Sequence, residues 1–429
     1  MRSTYHLLLV TAFLLAAAAA FAEHPVATAQ RVQREAAAAY QAGDFAAFVA
    51  ALERARALNP ASYATLYNLA CGYALTGREA EALDLLEQLT AARIDYGMAD
   101  DPDLASLRDS PRFRMLVDTL AANIVPVSNS TERLIVDRLD LMPEGIALDA
   151  GTGRLFFGSM RSGTVYATGP DETWSKFATV GDRGAYSAIG MTVDAARGIL
   201  WVVATHFFLA EGFDADDRLP SGLVGFDLAT GERRHEYLAP ADVEGLNDVA
   251  VAPNGDVYVS GSTLFVLEAG TDALVPVGTQ PALFGSNGLT VTPDGRTLFV
   301  SSYPVGIAAL DLDTGRLVFL DSAPGEPLYG VDGLYWHRGR LLAIQNGIQP
   351  WRLLSITVDT ARTRVTGIEI VEFANPDLLA MTGAPDGDSV HYVGRGPAPA
   401  ERPAHFPDAL APQLGRTVIM TARLPAAAD

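Results

Sequence analysis

From residue 133 onward, short apolar segments alternate with turns rich in Gly, Asp and Pro, which is typical of an all-β chain. One pattern recurs there: a variable residue, usually a Gly, an apolar residue, any residue, and usually another apolar residue. Its six copies are Glu144-Gly-Ile-Ala-Leu, Ile189-Gly-Met-Thr-Val, Asn247-Asp-Val-Ala-Val, Asn287-Gly-Leu-Thr-Val, Asp332-Gly-Leu-Tyr-Trp and Leu379-Ala-Met-Thr-Gly. They start 45, 58, 40, 45 and 47 residues apart, a period that suits a four-stranded blade. We therefore predict a six-bladed β-propeller.

Two features outside the repeats complete this picture. An apolar segment at 133–136 precedes the first copy, and another at 416–422 follows the last. Strands from both chain ends in one blade would close the ring and remove exposed sheet edges. The extra residues of the longest interval, 58 residues, lie at 205–220, in an apolar and acidic loop. This loop is either a lid over one channel mouth or a surface loop without a function.

The N-terminal part of the chain has a different pattern. Residues from about 27 to 120 are rich in Ala, Leu, Glu and Arg with helical periodicity, so we predict an all-α region. Turns containing Gly at 42–45 and 76–79 lie 34 residues apart, the period of a tetratricopeptide (TPR) repeat. The second copy resembles that family at its packing positions, namely Leu66, Leu69, Ala70, Tyr73, Gly77 and Ala82. Residues 101–113 look like a broken terminal helix that caps the stack.

The domain boundaries follow from these patterns. We predict a signal peptide at 1–22, a TPR-like helical domain at 23–124, a polar linker at 125–131 and the propeller at 132–424. The helical domain has two interpretations: it binds a peptide partner on its concave face, or it docks on the propeller. Two repeats favour docking, because TPR grooves usually need three. The polar linker predicts that the propeller folds on its own.

The first 22 residues predict export. Arg2 precedes an apolar run at 7–20, and an Ala-x-Ala site ends at Ala22. The run is short for a membrane anchor, and no later segment approaches membrane length. We expect a periplasmic or secreted protein, cleaved near Ala22, without a membrane span in the mature chain.

Composition narrows the possible partners. The formal net charge of −20 argues against a nucleic-acid partner, which wants a basic face. A single cysteine, Cys71, excludes an intramolecular disulfide framework and is expected to be a core thiol. The histidines show no spacing of a structural zinc site.

Oxygen-bearing residues stand at the first position of four copies. These residues are Glu144, Asn247, Asn287 and Asp332, whereas the other two copies begin with Ile189 and Leu379. In a closed propeller, equivalent positions form a ring around the channel, so their oxygens would converge. Oxygen ligands of mixed charge suit a hard divalent cation, Ca²⁺ above all, with Mn²⁺ or Zn²⁺ as alternatives. The competing explanation is that Asn and Asp favour strand entries beside Gly.

On these motifs, residues from about 132 to 424 resemble the SMP-30/gluconolactonase/LRE-like group of six-bladed propellers. The resemblance implies a channel cation held by a Glu of blade one, Asn of blades three and four, and Asp of blade five. Those positions match Glu144, Asn247, Asn287 and Asp332. It also implies hydrolysis of a lactone or related ester, in which the cation polarises the carbonyl and activates water. Asp332 would then pass protons.

One departure from that group concerns substrate polarity. Sugar-lactonase members carry an Arg two residues before the blade-three Asn, but this chain has Gly245 there, preceded by Glu244. Neither residue holds an oxyanion or a hydroxyl-rich ring as Arg does. The sequence therefore favours a less polar lactone or ester.

Five further residues are candidates around the ring. Asp248 either orients the neighbouring ligand or is a turn residue. His206, beside the long loop, is a candidate general base or a structural histidine. Tyr303, Tyr329 and Trp351 either line a mouth or pack between blades.

Two functions remain open at this stage. The first is an exported metal-dependent hydrolase acting on a small lactone or ester. The second is a non-catalytic scaffold, a propeller stabilised by its metal, in which the TPR-like domain recruits a protein partner. Fold alone does not decide between them. The missing Arg and the added helical domain favour the scaffold, whereas the oxygen ligand set and the long loop favour the hydrolase, which we prefer.

Overall fold

The structure is a computed structural model that describes residues 25–138, 141–169, 171–217, 219–240, 243, 245–278, 283–323, 325–378, 380–395 and 416–426. The predicted signal peptide at 1–22 lies outside these residues. Among the helices described, none is both long and apolar enough to cross a membrane.

The N-terminal helices form two antiparallel pairs followed by a terminal helix. Their bounds are α1 (Pro25–Gln41), α2 (Phe45–Leu58), α3 (Tyr63–Leu75), α4 (Glu79–Ala91), a 3₁₀ helix (Pro102–Leu107) and α5 (Pro111–Asn123). The turn glycines Gly43 and Gly77 have φ of 72° and 76°, a left-handed conformation that ends α1 and α3 and that glycine adopts without strain. The predicted helical region is confirmed, while its membership of the TPR family stays a prediction.

The chain itself covers one face of α3. The Tyr67 ring lies 5.3 Å from that of Tyr96, and the Tyr67 hydroxyl donates to Asp101 over 2.6 Å. Leu104 and Leu107 of the 3₁₀ helix are buried in the same apolar cluster. This face therefore packs against the segment 96–107, which supports a docking module over a peptide-binding groove.

The remainder of the described chain forms six antiparallel four-stranded sheets. Blade one contains β2 (Pro143–Asp149), β3 (Arg154–Ser159), β4 (Thr164–Thr168) and β5 (Trp174–Thr179). Blade two contains β6 (Ser187–Asp194), β7 (Ile199–Thr205), β8 (Gly222–Asp227) and β9 (Arg233–Leu238). Blade three contains β10 (Leu246–Val251), β11 (Val257–Gly261), β12 (Phe265–Leu267) and β13 (Val275–Pro276).

The other three blades follow the same order from the channel outward. Blade four contains β14 (Ser286–Val291), β15 (Thr297–Ser302), β16 (Gly306–Asp311) and β17 (Leu317–Phe319). Blade five contains β18 (Val331–His337), β19 (Arg340–Gln345), β20 (Arg352–Val358) and β21 (Val365–Phe373). Blade six contains β22 (Gly383–Asp386), β23 (Ser389–Arg395), β24 (Thr417–Arg423) and, outermost, β1 (Ser130–Val136).

The ring is closed by strands from both ends of the propeller sequence. β1 pairs with β24, and each innermost strand contacts the innermost strand of the next blade, including β22 with β2. Each neighbouring pair of blades also shares an apolar cluster, with large side chains such as Phe156 and Phe299 fully buried. Burying one such side chain contributes roughly 1.5–3 kcal/mol. The predicted six-bladed propeller is confirmed.

The recurring glycine is explained by how closely the innermost strands approach. A Cβ on Gly145 would lie 1.9 Å from the carbonyl oxygen of Ile189, and one on Gly288 would lie 2.1 Å from that of Asp332. In five blades the first strand also has a β-bulge where the first two residues of the pattern stand. Bulges of this kind redirect side chains. The bulge leaves the first-position residue outside the regular ladder.

In blade six the register differs from the sequence prediction. A Cβ on Gly333 would meet the carbonyl oxygen of Met381 at 2.9 Å, so Met381 stands at the first position. Thr382 takes the glycine's place, and its hydroxyl donates to the carbonyl oxygen of Glu144. The predicted copy starting at Leu379 was therefore two residues early, because blade six lacks the glycine that marks the others. Leu379 itself lies outside the described residues.

The helices dock on the end of the propeller where the innermost strands begin. Tyr329 and Ile348 of the propeller are buried in the apolar cluster of the helices. The Asn59 side chain donates to the Pro304 carbonyl over 3.1 Å, and the Asp95 N–H donates to the Gln349 carbonyl over 2.9 Å. The two domains therefore share an interface of apolar contacts and hydrogen bonds.

The close approach of innermost strands can be tested at Gly145. We expect Gly145→Ala to lower the free energy of unfolding by about 1–3 kcal/mol or more, because the added methyl group overlaps the blade-two backbone. Gly367→Ala in β21 is the matched control, since its Cβ would have only ordinary contacts at 3.9 Å with Thr357. Chemical denaturation in chelator measures both variants. Equal stability of the two would contradict the packing described here.

Candidate metal centre in the propeller channel

The candidate ligands lie at the same end of the propeller as the loops between second and third strands. Pro143, beside Glu144, pairs with Ser159 at the end of β3. In blade five, Val331 pairs with Gln345, which in turn pairs with Arg352 at the start of β20. These loops therefore surround the channel mouth nearest the ligands, and they include 205–220.

Asp332 lies beside two amides. The Asn346 side chain donates from Nδ2 to Asp332 Oδ2 over 2.5 Å, and the Asn287 side chain lies near enough to lower the pKa of this carboxylate. Asp332 is only 8% exposed, and burial raises its pKa to about 6. Two of the four predicted ligands, Asn287 and Asp332, therefore lie near each other.

Glu144 has the most unfavourable environment of the candidate ligands. Its Oε2 atom is buried and has no hydrogen-bond partner among the described residues. Burial, followed by the charges of Asp332 and Asp248, raises its pKa well above the ordinary range. A buried oxygen without a partner is costly unless another group satisfies it.

Asp248 stands at the second position of its innermost strand, where four of the other five blades have glycine. Its carboxylate accepts the Val249 N–H over 2.8 Å, and the Leu289 N–H of blade four lies near enough to lower its pKa. Burial raises its pKa to about 7, and the charge of Asp332 adds to this. It stands directly beside Asn247, and its role in orienting that candidate ligand stays a prediction.

Two residues of the site were missed by the sequence interpretation. Asn346 is one, and the other is Tyr335, whose hydroxyl accepts the Gly383 N–H over 2.7 Å. Burial and the charges of Asp248, Asp332 and Glu144 raise the pKa of Tyr335 well above its ordinary value. A signal for Tyr335 existed, because it is the one large side chain at the fourth position of the five registered copies. Asn346 followed by Gly reads simply as a turn.

The residues present fit a divalent cation. Three buried carboxylates act on one another, and no Arg, Lys or His is among the groups that shift their pKa in the described part of the chain. Asn247 and Asn287 add neutral oxygens that are only half-buried. A cation among them would offset the mutual repulsion and satisfy Glu144 Oε2. Donors that are all oxygen and partly anionic suit Ca²⁺ in particular.

The two blades that flank blade one have apolar residues at their first positions. Ile189 and Met381 stand at the two first positions without side-chain oxygens, and both belong to one apolar cluster with Met142, Met160 and Leu209. Gly245, at the position of the missing Arg, leaves open space, since a Cβ there would meet only Thr205 Cγ2 at 3.6 Å. Glu244 lies outside the described residues.

His206 is not brought to the ligands. Its ring lies 4.6 Å from that of Phe213, and its Nε2 is buried without a hydrogen-bond partner in the part described. The surrounding loop is tied to blade one, because the Glu211 N–H donates to the Arg161 carbonyl over 2.7 Å. Phe207 and Phe208 remain exposed on it. No contact between His206 and Asp332 is present among these residues.

The three predicted aromatic residues have different places. The Tyr303 hydroxyl donates to Asn346 Oδ1 over 3.0 Å, and burial followed by the charge of Asp332 raises its pKa to about 12. Tyr329 instead lies in the domain interface, where its hydroxyl accepts the Tyr63 N–H over 3.1 Å. Trp351 packs in the apolar cluster between blades five and six. Only Tyr303 is thus linked to the channel.

No family model matches this chain, and no curated protein does. Among solved structures, it is similar to a gluconolactonase from Xanthomonas campestris, with 18% identity, 66% of this chain and 86% of that chain covered, and a TM-score of 0.43. It is also similar to regucalcin from Agrobacterium tumefaciens, a calcium-binding protein, with 16% sequence identity and a TM-score of 0.46. That match covers 70% of this chain and 97% of the regucalcin chain.

A third similar structure is virginiamycin B lyase from Staphylococcus aureus, with 15% identity, 61% of this chain and 80% of that chain covered, and a TM-score of 0.43. At such low identity, structural likeness concerns the fold and not the reaction. The geometry of the channel is therefore the basis for assigning a function. The fold itself is established: a helical domain followed by a six-bladed β-propeller.

The buried carboxylates predict an unusual pH dependence. Asp332 and Asp248 have folded pKa values of about 6 and 7, above the unfolded value of about 4. Their stabilising contribution is thus present at low pH and lost as pH rises from about 4 to 8. In chelator, wild type should lose more of its Tm between pH 5 and pH 8 than Glu144→Gln, which removes one repelling charge.

With saturating Ca²⁺ at pH 8, wild type should instead have the higher Tm, because it gains a cation that Glu144→Gln binds more weakly. Thermal unfolding of both proteins with and without Ca²⁺ measures this. If the Tm of the two proteins changes equally between pH 5 and pH 8, both with and without Ca²⁺, Glu144 neither repels its neighbours nor binds a cation.

Proposed function

We propose that the protein is an exported hydrolase that acts on a lactone or an ester with a divalent cation, best Ca²⁺, in its propeller channel. The observation that carries this proposal is the buried Oε2 of Glu144, which has no hydrogen-bond partner in the described part of the chain and lies near the buried carboxylates of Asp332 and Asp248. Glu144, Asn247, Asn287 and Asp332 would hold the cation. The signal-like sequence at 1–22 supports export.

A bound cation would polarise a substrate carbonyl and lower the pKa of a water molecule at the site. Asp332 would take up the proton of the attacking water. The Asn346 amide binds Oδ2 of this carboxylate over 2.5 Å, which limits its rotation. The hydrogen bond from Tyr303 to Asn346 Oδ1 fixes that amide with its NH₂ toward Asp332.

The surroundings of the site favour a substrate of low polarity. The wall containing Met142, Met160, Ile189 and Met381 offers apolar contacts with flexible side chains. The open space beside Gly245 provides no charged donor for sugar hydroxyls. We therefore propose an aliphatic or aryl lactone or ester in preference to a sugar lactone.

The alternative, a scaffold that recruits a partner through its helices, has less support. The inner face of α3 packs against the chain's own segment 96–107, and the helices dock on the propeller. A partner would have to bind elsewhere on the helical domain. We therefore do not expect a protein partner to bind at the face of α3 that packs against segment 96–107.

The direct test is a panel of aliphatic lactones, sugar lactones and aryl esters on the purified protein, with Ca²⁺ and with chelator. We expect hydrolysis of apolar members that is abolished by chelator and restored by Ca²⁺. If no member is hydrolysed while Ca²⁺ still raises the Tm, the scaffold function takes precedence. Hydrolysis that is unaffected by chelator would refute the role of the cation.

Asp332 and Asn287 should differ in their roles. Asp332→Asn keeps an oxygen ligand but removes the proton acceptor, so it should retain measurable Ca²⁺ binding and lose about 10²–10⁴-fold in kcat. Asn287→Ala should weaken Ca²⁺ binding, with activity largely recovered at high Ca²⁺. Calorimetric titration and kinetics at saturating Ca²⁺ measure both variants. Wild-type turnover in Asp332→Asn would limit this residue to a ligand.

A further inference from the structure

We propose that the helical domain, residues 25–123, forms part of the metal centre: it holds the β19–β20 loop and so positions Asn346 against Asp332, which strengthens cation binding. This inference rests on the proposed metal centre but not on hydrolysis. It makes Arg352 and Asn346 positioning residues, although Arg352 touches none of the candidate ligands.

The first link is Arg352, a buried cation that joins the two domains. Its side chain is 1% exposed, and its guanidinium donates to the Ala92 carbonyl over 2.9 Å and to the Arg93 carbonyl over 3.4 Å. These carbonyls lie at the C-terminal end of α4, where a helix has unpaired acceptors and a partial negative charge. Glu326 lies 4.0 Å from the same guanidinium. The helix end therefore provides most of the polar partners of this buried charge.

The second link is the β19–β20 loop, residues 346–351. The Gln349 carbonyl in this loop accepts the Asp95 N–H over 2.9 Å, so one backbone bond crosses the domain interface. Ile348 is fully buried within the apolar cluster of the helices. The loop is thus held at its centre and at its end by residues of the helical domain.

The third link leads from this loop to the candidate ligands. Asn346 begins the loop, and its Nδ2 donates to Asp332 Oδ2 over 2.5 Å. Its Oδ1 accepts from Tyr303, whose neighbour Pro304 accepts a hydrogen bond from Asn59 of the helical domain over 3.1 Å. The helices therefore contact both loops that fix the Asn346 amide. A carboxylate that is oriented before the cation arrives loses less freedom on binding.

Coupling between two sites is reciprocal, which gives two independent measurements. If the docked helices strengthen cation binding, the cation must stabilise docking by the same factor. The first measurement is the Ca²⁺ dissociation constant of full-length variants, and the second is hydrogen exchange at the domain interface of the wild-type protein.

For the first measurement we compare Arg352→Leu with Arg154→Leu by calorimetric titration of Ca²⁺. The two arginines have similar contacts. Arg154 donates to the Leu228 carbonyl and lies over the Phe156 ring, as Arg352 donates to backbone carbonyls and lies over the Phe373 ring. Arg154, however, pairs with Asp149 at the opposite end of the channel. We expect Arg352→Leu and Asn346→Ala each to raise the Ca²⁺ dissociation constant about tenfold. Arg154→Leu should leave it unchanged.

The second measurement needs no destabilising variant. Saturating Ca²⁺ should slow hydrogen exchange in the wild-type segment 93–98, which carries the Asp95 N–H bonded to Gln349. The same addition should have no effect on this segment in Asn346→Ala, in which the connection to Asp332 is cut. The α1 helix serves as an internal reference in both proteins.

The outcomes separate this inference from the proposed function. Wild-type Ca²⁺ affinity in both Arg352→Leu and Asn346→Ala overturns it, as does exchange at 93–98 that ignores Ca²⁺. If only Asn346→Ala binds more weakly, the helical domain has no part in the metal centre and the inference is wrong. A wild-type protein that binds no divalent cation refutes the metal centre itself.

Discussion

The close approach of the innermost strands is the constraint on which the rest of this protein depends. A Cβ on Gly145 or Gly288 would lie about 2 Å from a carbonyl oxygen of the next blade. Such a narrow ring is possible because glycine stands at the second position of the pattern in four of the six blades. Asp248 takes that place in blade three, and Thr382, whose hydroxyl donates to the Glu144 carbonyl, takes it in blade six. The narrow ring brings residues that are distant in sequence to the channel axis.

That geometry creates an electrostatic problem and suggests its solution. Glu144, Asp248 and Asp332 are buried near one another without a basic partner in the described part of the chain. Hydrophobic packing between the blades offsets the cost of burying these three carboxylates. Functional sites often carry such a local cost, which the rest of the fold compensates. A divalent cation in the ring would remove much of that cost. The same cation would supply the electrophile that a lactone or ester hydrolase needs.

The sequence predicted what the blades share and missed what is particular to one loop. The repeat revealed six blades, and the predicted ligands Asn287 and Asp332 lie near each other. It misplaced the sixth copy, because Thr382 replaces the glycine that anchors the register. Asn346 could not be predicted as a site residue, because its position depends on a loop that the helices contact. Tyr329 was expected at the channel but packs against Tyr63, which no pattern within the propeller could show.

The central claim is that one cation binds where the first positions of four blades meet. The most direct measurement is a crystal structure of the protein grown with Ca²⁺, with an anomalous difference map collected at long X-ray wavelength. The account predicts a single peak in the channel, with side-chain oxygens of Glu144, Asn247, Asn287 and Asp332 at roughly 2.3–2.6 Å from it. A channel without a peak, or a peak that lacks both Glu144 and Asp332 as ligands, would contradict it.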